Sequence, residues 1–173
     1  MAIRTAPAHS SLPAAPANHP HPFVVEWRDG FKVDIPQVDH EHRHLFHLVK
    51  SLDIESIEKT IDELLDYVVI HFTHEQDLME RSGYPAFEEH LRLHEHFGAT
   101  VAEFMGDDDQ WSEERVQKLR RFLNKWLVGH ILTHDLRFGR WYLEHQSHPR
   151  EAVITPSNRG GGWLQRLFRR PLP

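Results

Sequence analysis

Sixteen histidines and no cysteine stand in a chain of 173 residues, so any side-chain metal chemistry must run through imidazole and carboxylate. Disulfides, thiolate metal sites and thiol catalysis are excluded together. Several of the histidines recur at helical spacing. His71 and Glu75 are four apart, as are His90 and His94, and on a helix each such pair leaves one face about one turn apart. That is how a helix grips one metal ion or a close pair. His130 and Asp135 are five apart, which puts them about 140° out of phase on an ideal helix. Such a pair must splay, and a local π-bulge would bring it back to one face.

The elements that must carry these residues all have a helical period. The spacing predicts a first helix from Asp39, read as its N-cap, to about Ser51. A second spans roughly 54–81, from a cap at Asp53 to Gly83, and a third runs from Pro85 to about Met105, stopping at Gly106. The fourth starts after Ser112, with Trp111 and Val116 at hydrophobic-staple positions, and continues to about His145. Short connections make the fold class all-α, an up-down-up-down antiparallel four-helix bundle. An irregular N-terminal arm over 23–37, with Phe23, Trp27, Phe31 and Pro36, leads into it.

The inward seams contain residues a core should not hold. They read Val38, His42, Leu45, Val49, Leu52 in the first helix and Leu64, Val68, His71, Glu75, Leu78 in the second. The third gives Phe87, His90, His94, Phe97, Val101, Phe104, and the fourth Val116, Leu119, Leu123, Trp126, His130, slipping to Asp135, Phe138, Tyr142. A buried, unpaired carboxylate or imidazole costs several kcal/mol, so these groups need each other or a metal. Five histidines and two carboxylates suit two metals better than one. If both carboxylates and one solvent oxygen bridge, three histidines complete six ligands on one metal, and two leave the other with a vacancy. The bridging anions nearly balance a divalent pair, which allows burial. Imidazole with carboxylate suits iron, with zinc, copper, manganese or cobalt as alternatives. The ferritin-like arrangement is disfavoured, since it needs two Glu-x-x-His pairs and only Glu41/His44 has that spacing.

The flanks differ from this domain. Residues 1–22 hold five prolines and six alanines without an acidic residue, and read as a disordered arm. The domain is expected over 23–146. The segment 147–173 carries five arginines against one acid, so it is a basic, flexible tail on an acidic domain. Within it Trp163, Leu164, Leu167 and Phe168 would share one helical face, flanked by Arg166, Arg169 and Arg170. That pattern suggests docking on a protein partner or an anionic membrane surface. A formal charge of -6 argues against nucleic-acid binding. No apolar run is long enough to span a membrane, and no secretory signal is visible. A cytoplasmic protein is expected, peripheral to the inner membrane through the tail, and a lone bundle of this size is expected to be a monomer.

Taken together, Val38-Asp39-His40-Glu41-His42 before Leu45-Phe46, His71-Phe72-Thr73-His74-Glu75, His90 with His94, and His130-Ile131 with Asp135 resemble the hemerythrins, specifically the bacterial single-domain type. The likeness covers about residues 24–145. It implies two non-heme iron ions with a bridging oxo or hydroxo group, and reversible O2 binding. By this resemblance His90, His94 and His130 hold the saturated iron, and His42 and His71 hold the iron with the vacancy. Glu75 and Asp135 bridge. Leu45, Phe72, Phe97, Trp126 and Leu127 are core residues first and oxygen-pocket lining by location. One departure is Gln76, where the family often has a second glutamate. His40, His44, His47, His74, His96, His134 and His145 lie off the seams or at their margins and read as solvated or as supports for the ligands. The expected role is oxygen storage, transport or delivery, without turnover. An enzyme reducing nitric oxide or peroxide is the runner-up, weakened by the lack of an acid-base group on an otherwise hydrophobic seam. An oxygen-sensing module is the third reading, and it rests on the tail alone.

Overall fold

A computed structural model describes residues 24–106 and 110–146 of the chain. The readings made for the 1–22 arm and the 147–173 tail lie outside those residues. Four helical rods are formed: α1 (Pro36–Ser51), α2 (Ile57–Ser82), α3 (Phe87–Gly106), and α4 (Glu113–His130) continuing through a π-turn over Ile131–Asp135 into α5 (Leu136–Gln146). There is no strand among the described residues. α1 packs on α2 and α4, and α2 packs on α3 and α5, as the all-α bundle reading expects. The π-turn falls where the five-residue spacing of His130 and Asp135 requires one.

Helix starts differ from the sequence reading, and the reasons are local. α1 begins at Pro36, not Asp39. Proline suits a first helical position, where its missing N–H has no partner to lose. The Asp39 side chain instead accepts from the Val33 N–H at 2.7 Å and so ties down the arm. α2 begins at Ile57, because Asp53 closes a turn: its Oδ1 accepts from the Glu55 N–H at 2.9 Å. α3 starts at Phe87, after a turn that holds Pro85. Ser112 does cap α4, accepting from the Arg115 N–H at 3.2 Å. Gly83 ends α2 at φ 72°, a left-handed conformation in which a Cβ is strained.

The core is continuous along the bundle, with Leu64, Val68, Val101, Leu119 and Phe138 among its buried members. One seam residue is displaced, since Met79 is fully buried where Leu78 is only partly so. The arm is part of this body. Phe31 and Val33 are buried, and the Val25 N–H donates to Asn124 Oδ1 on α4 at 3.2 Å. Glu26 pairs with Lys50 on α1. At Gly139 a Cβ would lie 2.2 Å from the Val33 carbonyl oxygen, so only glycine lets the arm lie this close to α5. No helix among the described residues is long and apolar enough to cross a membrane.

Candidate metal centre

Each rod delivers ligand-type side chains to one buried point. α1 contributes His42, α2 contributes His71 and Glu75, α3 contributes His90 and His94, and α4 with its π-turn contributes His130 and Asp135. All seven are at most 5% exposed. They form two groups that share one member. Glu75, His90, His94 and His130 bring one ligand atom each within 4.8 Å of one another, and so do His42, His71 and Glu75. Asp135 also reaches both groups. Its Oδ2 lies 3.2 Å from His42 Nε2, and its Oδ1 lies 3.1 Å from His130 Nε2 and 3.5 Å from His90 Nε2.

The three-histidine group has a diagnostic shape. The Nε2 atoms of His90, His94 and His130 are 3.0, 3.0 and 3.1 Å apart. Nitrogen donors about 2.1 Å from a metal are about 3.0 Å apart at a right angle and about 3.4 Å apart at the tetrahedral angle. The triangle therefore fits one face of an octahedron and leaves three further positions for oxygen donors, which favours six-coordinate iron or manganese over tetrahedral zinc. Glu75 Oε2 lies 3.1 Å from His90 Nε2 and 3.4 Å from His94 Nε2, on the side toward the second group. Both ring nitrogens of His42, Glu75 Oε1 and both Asp135 oxygens are buried without a hydrogen-bond partner among the described residues. Orphaned buried atoms of this kind are costly, and a metal pair would satisfy the carboxylate oxygens and one nitrogen of His42.

The protonation states suit a centre that takes up cations. Burial, reinforced by His130 and His90, holds the His94 imidazole well below its usual range, and burial lowers His90 too. Both rings are thus neutral and offer lone pairs. Without metal the two carboxylates split. Burial and the neighbouring Asp135 push Glu75 up to about 8. Asp135 is buried as well, but His130 and His42 hold it well below the usual carboxylate range.

Two supporting residues escaped the sequence reading, which took the seam to be otherwise hydrophobic. Glu41 is 1% exposed. Its Oε2 accepts from His71 Nδ1 at 3.0 Å, while its Oε1 takes His74 Nδ1 and Gln37 Nε2, each at 2.6 Å. Burial works against its charge, yet these donors hold its carboxyl at about 2. Gln76, the departure noted above, sets its amide 3.1 Å from His94 Nδ1. Donors and acceptors of this sort on the far ring nitrogen fix a ligand's tautomer and orientation. The one available signal was position: each stands beside a seam residue, His42 or Glu75.

The expected pocket residues divide. The Phe72 ring lies parallel on His94, with centroids 3.6 Å apart, and Trp126 stacks on His130 at 4.3 Å. Phe97 packs on Trp126 at 4.2 Å and on Phe72 at 5.6 Å. Phe97 and Trp126 therefore wall the three-histidine end, and Phe72, which also meets the His71 ring at 5.7 Å, lies against both groups. Leu45 and Leu127 are buried, each three residues from a histidine of the cluster on its own helix. Trp27, from the arm, faces His42 at 6.3 Å and packs edge-on to Phe46 at 5.8 Å. Of the off-seam histidines, His74 supports Glu41 and His134 lies 5.4 Å from the His130 ring. His44 packs on Tyr67 at 4.2 Å and His145 Nδ1 donates to the Trp141 carbonyl at 2.7 Å, whereas His40, His47 and His96 are exposed.

Known proteins resemble this chain over most of its length. The family model described as the hemerythrin HHE cation binding domain matches residues 33–142. A bacteriohemerythrin from Stenotrophomonas maltophilia is 30% identical over 154 residues, covering 85% of this chain and 97% of that protein. The hemerythrin subunit alpha of Lingula anatina is 38% identical over 122 residues, 69% of this chain and 94% of its own length. A myohemerythrin from Theromyzon tessulatum is 29% identical over 120 residues, covering 69% and 92%.

Proposed function

The chain belongs to the hemerythrin family, and from that premise we propose that it binds O2 reversibly at two non-heme iron ions, for oxygen storage, transport or delivery. His90, His94 and His130 would hold one iron and His42 and His71 the other, with Glu75 and Asp135 as the carboxylates available to both. The observation that carries this reading is the asymmetry of the two groups. Three imidazoles close one face of an octahedron at 3.0–3.1 Å, while the sister group offers two. With Glu75 and Asp135 shared, the two-histidine group would supply one donor fewer to its iron and so leave room there for O2.

Such irons, when bound, supply the two electrons that O2 accepts and later returns. The chain's own residues do the rest. Glu75 and Asp135 set the separation of the metals and offset their charge. Phe72, Phe97 and Trp126 lock the rings of His94 and His130 and keep water from them. Leu45 and Leu127 add apolar surface near the centre. Glu41, a buried acid-base group beside these residues, stands behind His71 with its oxygens already occupied by His71, His74 and Gln37. That placement favours binding over turnover.

A visible spectrum of the iron-loaded, anaerobically reduced protein tests the reading. A colourless reduced form should gain a charge-transfer band in air and lose it when oxygen is removed. Direct passage to a ferric spectrum without that band would reject reversible binding in favour of an enzyme or sensor.

A further inference from the structure

The seven ligands leave Glu41 unused, although it is a carboxylate 1% exposed in the middle of the bundle. Three donors converge on it: His71 from α2 at 3.0 Å, and His74 from α2 with Gln37 from α1 at 2.6 Å each. That is the surrounding of a fixed anion. Its side chain meets the centre through His71, whose Nδ1 it occupies, so that Nε2 is the nitrogen left to face His42 and Glu75. At the other end no carboxylate among the described residues is hydrogen-bonded to His94 Nδ1. The group 3.1 Å from His94 Nδ1 is the neutral amide of Gln76.

We infer that Glu41 is a positioning residue that acts through His71 to retain the metal at the two-histidine position, supplying by charge what the missing third imidazole would have supplied by coordination. A carboxylate on the far N–H fixes the tautomer and makes the imidazole a stronger donor. It also completes the charge balance: two divalent ions bring four positive charges, and Glu75, Asp135 and one hydroxide bring three negative, to which Glu41 adds the fourth. His74 fastens this anion from outside. Its side chain is 52% exposed and lines a surface groove of about 830 Å³ with Pro36, Asp77, Leu78 and Tyr142. The inference rests on the proposed two-iron reading, and its test separates the two.

Iron-free, full-length protein is titrated anaerobically with Fe2+ against a competing chelator, reading affinity for each equivalent rather than any reaction. Wild type should hold two equivalents. Glu41→Gln keeps an oxygen for His71 but removes the charge. It should leave the first equivalent unchanged and weaken the second about 10–100-fold, the usual cost of losing such a partner. Two equivalents held as in wild type, or both weakened alike, would overturn the inference. If wild type itself holds fewer than two, the two-iron reading fails instead. Should Glu41→Gln lose its helical circular dichroism, His74→Ala takes its place, because that side chain is half in solvent. It should weaken the second equivalent alone, by a smaller factor, and no selective loss in it overturns the inference equally.

Discussion

The two ends of the candidate metal centre use the same residue types and are held in different ways. At the three-histidine end the rings are fixed by packing: Phe72 lies on His94 with 2° between the planes, Trp126 lies on His130, and a neutral amide sits behind His94. At the two-histidine end the ring contacts are looser, with Trp27 from an irregular arm 6.3 Å from His42 and Phe72 tilted 5.7 Å from His71, and a buried anion, Glu41, stands behind His71. Where three rings already converge, dispersion and shape are enough to keep them there. Where only two are present, orientation comes from charged hydrogen bonds that reach the surface at His74. The contrast separates a rigid half from an electrostatically held half, and each can be attacked alone.

The largest effect should come from the packed half. Phe72 is 1% exposed and touches His94, Phe97 and Trp126, so Phe72→Ala should cost about 3–5 kcal/mol in metal-free stability. Trp27→Ala removes a ring that is only partly buried and should cost no more than about half of that. Urea unfolding of both metal-free variants makes the comparison. Equal losses would mean that the arm is as much a part of the rigid framework as the aromatic wall.

Next in size is the pH response of the carboxylate shared by the two ends. Glu75 is pushed up to about 8 from an ordinary 4.5, so in the metal-free protein it is favoured neutral. Its contribution to stability is full below 4.5, declines as pH rises, and is gone above about 8. Metal uptake needs that proton to leave, so affinity should rise about tenfold per pH unit over the same window before levelling off. Metal-free stability and metal affinity should therefore run in opposite directions between pH 6 and about 8. Parallel trends in thermal scans and metal titrations would show that the proton is not held on this carboxyl.

These contrasts also show what a sequence discloses. All seven ligand-type residues that the structure gathers lie on the predicted seams, because a ligand must share the core-facing stripe of its helix and therefore keeps its period. Even the distortion was legible, since His130 and Asp135 cannot face one way without an extra residue in the turn. Helix starts were less so. Asp39 and Asp53 are good caps by type, but each side chain is taken by a backbone N–H of the preceding turn or arm, a choice made by tertiary placement. Glu41 and Gln76 were illegible for a different reason. A polar residue one step off the seam is usually solvated, and only the packing of α1 against α2 turns Glu41 toward partners thirty residues away.

Gln76→Glu sharpens the comparison by giving both ends a carboxylate. With an anion behind His94, the rigid end should bind its metal roughly 10-fold more tightly, while the two-histidine position stays unchanged. The metal-free protein should lose stability, because another buried charge is left unpaired. Stepwise Fe2+ titration with paired thermal scans reads both. A variant that weakens the first equivalent would show that a neutral amide is required behind His94.

The smallest effect comes from a site remote from either end. Ser112 caps α4 through the Arg115 N–H at 3.2 Å, and a lost cap of this kind costs about 1 kcal/mol. Ser112→Ala should lower the unfolding midpoint by that amount and leave both metal equivalents where they were. The reason is geometric: His130 stands five turns along the same helix, and its position is set by Trp126 and the π-turn, not by how the first turn ends. If the variant loosened the metal, the three-histidine end would depend on the whole length of α4, and the local packing that distinguishes it from the two-histidine end would not be sufficient to hold it.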